Sequence, residues 1–133
     1  WLISRNCWEL LELPEQLLKS HAVTSVLPDV CREPDSGHFG FVSGDAFTLA
    51  GELAQTLSQG GAYKKHEGGA GDAFSIADEF RKWLFQDRFD EVLVMKSFKP
   101  WSAWFYDIAW DGTWLIVDKR FSRVSVLAVT DTD

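Results

Sequence analysis

The residues from Glu91 to Thr130 constrain the fold more than any other stretch, because they carry an almost unbroken series of β-strand patterns. Short runs rich in Val, Ile, Phe and Trp are separated by turn residues, and four of the seven tryptophans lie in this stretch. Branched and aromatic residues in short alternating runs are typical of strands. We therefore predict four consecutive strands here, joined by short turns as an antiparallel meander.

The Asp111-Gly112 pair is the clearest turn signal in the chain. Asp-Gly between two apolar runs predicts a two-residue hairpin turn, since both positions tolerate positive φ. Such a turn pairs Trp110 with Thr113, and paired residues share a face of the sheet. One predicted face is then uniformly apolar and is assigned as the core face; it carries Trp104, Tyr106, Ile108, Trp110, Leu115, Val117, Val124, Val126 and Ala128.

The opposite predicted face mixes apolar and charged residues. It carries Phe105, Asp107, Trp114, Ile116, Asp118, Arg123 and Leu127. A four-residue loop pairs Asp118 with Arg123, so these two are expected to form a cross-strand ion pair. A solvated face should not carry so much apolar area, and a fully buried face should not carry these charges. Either the N-terminal segment covers this face in part, or the face binds a partner or ligand.

Five residues of this face and of the adjoining proline turn are our candidates for partner binding. Tryptophan is enriched at protein interfaces because it buries a large area and keeps a polar handle. A carboxylate in the middle of a strand must be solvated, hydrogen-bonded or shifted in pKa. The candidates are Trp101, Phe105, Asp107, Trp114 and Ile116. We expect Trp83 and Trp104 to be structural, and no residue is assigned as catalytic.

The first half of the chain predicts helices. A proline suits the first turn of a helix, which predicts one helix from Pro14 to about His21. Two further amphipathic helices start in the similar segments Gly44–Leu53 and Gly71–Phe80, where apolar residues recur at helical spacing. In each segment the aspartate, Asp45 or Asp72, is the predicted N-cap.

These patterns together predict an α+β fold. We expect a single domain over residues 1–133, mainly helical over 1–89 and an antiparallel sheet over 90–131. Two amphipathic helices pack on one face of the C-terminal four-stranded meander. His38 to Val42 is a candidate fifth strand at an edge of the sheet.

Composition and motif spacing exclude several classes of function. A net charge of −7 argues against binding to nucleic acid or to an anionic membrane. The two cysteines, Cys7 and Cys31, predict reduced thiols in the cytoplasm, and no apolar run approaches a membrane span. The sequence has no C-x-x-C, H-E-x-x-H or G-x-S-x-G motif, so we expect no metal ion and no cofactor. Residues 59–71 are rich in glycine and are interpreted as a flexible surface loop, not a phosphate loop.

Three hypotheses for function follow from these features. The leading one is a small acidic protein-interaction module, an immunity- or antitoxin-like inhibitor or an adaptor, that binds a basic partner protein. The second is a ligand-binding or enzymatic domain with a pocket between sheet and helices, to which Asp107, Tyr106 or His38 contributes polar groups. The third is a homodimer that buries the mixed face. The sequence favours a non-enzyme over an enzyme.

Overall fold

The computed structural model describes the backbone of residues 7–131 and the side chains of residues 12–131. The described helices are α1 (Cys7–Leu18), α2 (His21–Thr24), α3 (Leu49–Gln59) and α4 (Gly69–Phe85), with a 3-10 turn at Phe89–Glu91. The strands are β1 (Val42–Ser43), β2 (Val92–Ser97), β3 (Gly112–Asp118) and β4 (Arg123–Val129). The expected reduced thiol at Cys7 lies outside the described side chains, whereas Cys31 is a buried free cysteine.

The four strands form one antiparallel sheet in the order β1-β2-β3-β4. This arrangement confirms the predicted α+β class, with helices packed on a C-terminal antiparallel sheet. The register of the last hairpin is also as predicted, since Asp118 lies opposite Arg123. The single domain over residues 1–133 stays a prediction.

The segment 103–110, predicted as a strand, forms turns and bends instead, and the predicted Asp111-Gly112 hairpin is wrong. The Asp111 side chain is the physical reason. Its Oδ2 accepts the backbone N–H groups of Tyr106 (3.3 Å) and Ile108 (3.1 Å), which a strand would donate to its neighbour. β3 therefore pairs directly with β2, and the fourth strand is β1, which overlaps the end of the candidate strand at residues 38–42.

Helices α3 and α4 cover the sheet face that carries Trp114 and Ile116. Both residues are buried in a cluster with β2 and the two helices, which includes Leu49, Leu53, Ala77, Leu84, Val92 and Val94. The helices thus pack on the face that we predicted to be mixed and partly open. The prediction that two amphipathic helices pack on one face of the sheet is therefore confirmed.

The N-terminal segment and the 98–111 loop cover the opposite face. Its buried cluster joins Met95 and Leu115 of the sheet to residues from these segments: Leu18, Cys31, Phe39, Phe41, Trp101 and Phe105. Because residues 101–105 lie outside the sheet, the rings of Trp101 and Phe105 can pack against its face. Both faces of the sheet are therefore buried, each by a different layer.

Both predicted helix caps are wrong in position. α3 begins at Leu49, and Asp45 Oδ1 accepts the N–H of Phe47 at 2.8 Å in the turn that precedes the helix. α4 begins at Gly69, within the predicted glycine-rich loop, so Asp72 lies in its first turn. α1 likewise begins before Pro14 and contains it. The sequence thus predicts the existence of these helices better than their first residues.

A group of charged residues fixes the β3–β4 turn. The guanidinium of Arg88 donates two hydrogen bonds to Asp118, at 2.9 and 2.7 Å, and Arg123 lies 3.6 Å from the same carboxylate. The last contact confirms the predicted cross-strand ion pair. Asp118 Oδ1 also accepts the backbone N–H groups of Arg120 and Phe121. The bond from Arg88 is the main cause that lowers the pKa of Asp118 to about 2.

We expect Asp118→Asn to destabilise the protein in a pH-dependent way. The folded-state pKa of Asp118 is depressed from 3.8, so its carboxylate stabilises the fold above that pH and loses this contribution as the pH falls toward 2. Urea unfolding should show a constant difference between wild type and variant at neutral pH that shrinks through this acidic range. Glu79→Gln, an exposed carboxylate on α4, is the control. A difference that does not change between pH 4 and pH 2 would contradict this role.

Candidate functional site

The structure does not bring the five predicted partner-binding residues together on one surface. Trp101 and Phe105 are buried against one face of the sheet, and Trp114 and Ile116 are buried against the other. Asp107 is exposed in the 98–111 loop, where its φ is 58°. The predicted shared face is wrong because residues 103–110 form no strand. Partner binding by these five residues stays a prediction.

Each of the two buried indoles has its polar atom satisfied within the chain. Trp101 Nε1 donates to Thr113 Oγ1 at 2.9 Å, and its ring stacks on Phe39 with centroids 5.2 Å apart. Trp114 Nε1 donates to Glu52 Oε2 at 3.2 Å. Buried tryptophan needs such a partner, so these contacts explain both residues as parts of the core.

The residues proposed for a pocket, Asp107, Tyr106 and His38, lie in separate places. Tyr106 and Asp107 are exposed in the 98–111 loop, and His38 pairs with Glu15 beside α1. A cleft does form between α3 and the sheet, but other residues line it. That cleft is a separate feature from the apolar surface on α4.

An apolar strip lies along the exposed flank of α4. Ile76 and Trp83 are 44% and 72% exposed, and Phe80 stacks on Trp83 with ring centroids 5.9 Å apart. Helical spacing of four and three residues places the three side chains on one flank. Large apolar side chains grouped in this way on a surface indicate an interaction site.

The strip borders an apolar groove between the helices and β4. The groove has a volume of about 320 Å³ and is lined mainly by Leu57, Ile76, Phe80, Trp114, Leu127 and Val129. Since its lining is almost entirely apolar, it favours apolar side chains over charged ones. We call it the α4–β4 groove.

β4 forms the outer edge of the sheet beside this groove. Within the described part of the chain its backbone pairs with β3 alone, which leaves one side of the strand with unpaired N–H and C=O groups. The strand has seven residues, no proline and a single charge, Arg123, at its first position. Natural proteins usually protect long apolar edges with charges, prolines or bulges, so an unprotected edge indicates a place where another strand adds.

Acidic residues border the apolar strip. Asp72 and Glu79 precede Ile76 and Trp83 by four positions, which places them on the same flank of α4. Both are exposed. Asp72 Oδ2 lies 2.7 Å from His66 Nε2, and the nearby Lys82 is paired with Asp78 at 2.7 Å, so Glu79 keeps an unopposed charge within the described part of the chain. The surface beside the groove is therefore negatively charged.

Sequence reasoning missed this surface because it assigned Trp83 to the core. The available signal was the width of the apolar arc on α4. Phe74, Ile76, Phe80 and Trp83 spread over more of the helix circumference than one buried face requires. An excess of apolar residues around a helix indicates that some of them stay exposed.

Among residues 12–131, no three side chains of His, Cys, Asp or Glu are grouped so that they could hold a metal ion. None of the helices described in residues 7–131 has the length and apolar character needed to cross a membrane. Comparison of the chain with models of protein families, with curated protein sequences and with solved structures finds no match in any of the three.

We expect Trp101 and Thr113 to be energetically coupled as core partners. Thr113→Val leaves the buried indole N–H without an acceptor, which should cost about 1–3 kcal/mol in the free energy of unfolding. In a Trp101→Phe background the same change should cost much less, because no donor is left unpaired. Urea denaturation of the four proteins measures this coupling, with Thr24→Val as a control at a half-buried helix position. Equal costs in both backgrounds would show that the hydrogen bond contributes nothing.

Proposed function

We propose that this protein is a small protein-interaction module in which the α4–β4 groove and the open edge of β4 accept an extended segment of a basic partner protein. The observation that carries the proposal is an apolar groove directly beside a strand edge that no other described strand covers. The two features supply the two things that an incoming strand needs, which are backbone partners and a place for its apolar side chains.

Strand addition explains why groove and edge lie together. A segment that pairs with β4 would satisfy the outward N–H and C=O groups of that strand. Its alternate side chains would point to the helix side of the sheet, where Leu127 and Val129 already line the groove. Phe80 and Trp83 would cover those side chains from α4. Backbone pairing gives affinity in this mode, and the groove selects apolar residues at alternate positions.

Charge favours a basic partner over a second copy of the chain. Two copies would each carry a net charge of −7 and would repel one another at long range. Asp72 and Glu79 border the strip and would attract lysine or arginine on an incoming segment. This supports the role of an inhibitor or adaptor that recognises a basic protein, rather than that of a homodimer or a nucleic-acid binder.

A cytoplasmic location fits the same proposal. Cys31 is a free thiol in the core, and thiols of this kind are typical of proteins in reducing compartments. Burial raises the pKa of Cys31, which keeps the thiol protonated and unreactive. The partner would therefore be an intracellular protein.

The proposal is tested with a synthetic peptide of alternating valine and lysine, titrated into the labelled protein and followed by NMR. We expect the backbone amide signals of β4 to shift, and the affinity to fall as salt is added. Trp83→Ala should weaken binding about tenfold because it removes the exposed ring that stacks on Phe80 at the border of the groove. Phe47→Ala is the matched control, since Phe47 is 73% exposed and also stacks on a phenylalanine, Phe89, away from the groove.

Several outcomes would overturn the proposal. One is an equal loss of peptide binding in Trp83→Ala and Phe47→Ala. Another is equal binding of a peptide that has glutamate in place of lysine. A third is a titration in which backbone amide signals outside β4 shift and those of β4 do not. A mass that rises with concentration, and falls in Trp83→Ala, would identify a second copy of the chain as the occupant instead. Measuring the mass in solution before the titration separates these cases.

A further inference from the structure

A second cavity, of about 360 Å³, lies between α3 and the 98–111 loop. Its volume falls within the range of small-ligand sites. Thr56, Trp114 and Val129 also line the α4–β4 groove, but the remaining residues of this cleft are different. One wall is polar and the opposite one is aromatic, and neither composition is needed for strand addition.

Helix α3 supplies the polar wall. Glu52, Gln55 and Gln59 lie at positions i, i+3 and i+7, so they share one flank of the helix and face the cleft. Neither glutamine side chain forms a hydrogen bond with any residue in the described part of the chain. Their amides each offer two donors and one acceptor oxygen to a ligand.

The 98–111 loop supplies the aromatic wall. Phe98 and Trp110 both line the cleft and are 57% and 38% exposed. Phe98 is held edge-to-face against the buried Trp114, with ring centroids 5.6 Å apart. The two side chains thus offer apolar ring faces opposite the glutamine amides.

Glu52 and Lys96 pair with each other in the cleft, and the third charged group of the lining, Asp111, is buried with both oxygens hydrogen-bonded within the chain. Lys96 Nζ donates to Glu52 Oε1 at 2.6 Å, and Trp114 donates to the other carboxylate oxygen. Burial pushes the pKa of Glu52 upward, but hydrogen bonds from Lys96, Trp114 and Thr48 outweigh it and lower the pKa. An anion would meet the ionised Glu52, and a cation would meet Lys96. The ligand that fits is therefore uncharged.

We propose that this cleft binds an uncharged, hydroxyl-rich ring compound, that is, a sugar. Each hydroxyl group both donates and accepts, which matches the mixture of free amide groups and the remaining N–H donors of Lys96. The apolar face of a sugar ring would pack on Trp110. The polar wall from Glu52 to Gln59 extends about 10 Å along α3, longer than the edge of one nucleobase, so a disaccharide fits better than a nucleoside.

The cleft is arranged for binding rather than for glycoside hydrolysis. Hydrolysis of a glycosidic bond commonly uses two carboxyl groups on either side of the bond. Asp111 is the second carboxylate in the lining, and it is buried with both oxygens engaged, by Thr130 on one and two backbone N–H groups on the other. Only Glu52 is left, and it is held by Lys96.

The test is calorimetric titration of the whole protein with glucose, galactose, N-acetylglucosamine, maltose, cellobiose and chitobiose. We expect at least one disaccharide to bind, and to bind more tightly than its monosaccharide. Trp110→Ala should weaken that binding about tenfold, and Gln55→Ala several-fold. In the NMR spectrum of the wild type, the side-chain amide signals of Gln55 and Gln59 should shift as the sugar is added. This measurement does not depend on any variant being folded.

Matched controls separate this proposal from the preceding one. Gln16→Ala on α1 and Trp83→Ala on α4 should bind the sugar as the wild type does, although the latter should bind the valine–lysine peptide about tenfold more weakly. Absence of binding to the whole panel at millimolar concentration would overturn the proposal. So would unchanged binding in a folded Trp110→Ala variant, or tighter binding of adenosine or uridine than of every sugar.

Discussion

Burial of β3 on both faces is the constraint on which the rest of the structure depends. Residues 112–116 are all buried, with Trp114 and Ile116 toward the helices and Leu115 toward the opposite layer. Full burial of one such aliphatic side chain contributes roughly 1.5–3 kcal/mol, so neither face can be left to solvent. The chain meets this requirement with two unlike covers, a helix pair on one side and loops rich in aromatic residues on the other.

The parts of the fold that the sequence predicted are those fixed by local patterns. The last hairpin is one example, because the lengths of its strands and loop place Asp118 opposite Arg123 without help from distant residues. The 103–110 segment shows where this reasoning fails. Its alternation suits a strand, but the buried side chain of Asp111 takes backbone N–H groups that strand pairing needs. Hydrophobic periodicity does not reveal that competition, so the strand faces predicted for residues 103–110 are wrong, whereas those predicted for Leu115 and Trp114 are confirmed.

The candidate sites were harder to predict because they join residues far apart in the chain. The groove combines α3 and α4 with β4, and the cleft sets Gln55 opposite Trp110. The high tryptophan content is an unusual feature of this sequence, but it does not predict which tryptophan rings are buried. Trp101 and Trp114 occupy the core, and Trp83, expected to be structural, is 72% exposed. Exposure is decided by packing between layers, which a single sequence does not specify.

The open edge of β4 also governs how this protein behaves in concentrated solution. Its strand interior carries no charge, so the net negative charge of whole molecules helps to keep two such edges apart. That repulsion weakens near the isoelectric point and in strong electrolyte, where the same hydrogen-bonding groups become free to join molecules side by side. Purification and storage should therefore use a pH well above the isoelectric point, which keeps the acidic side chains ionised. A bound partner would cover the β4 edge and so raise the solubility.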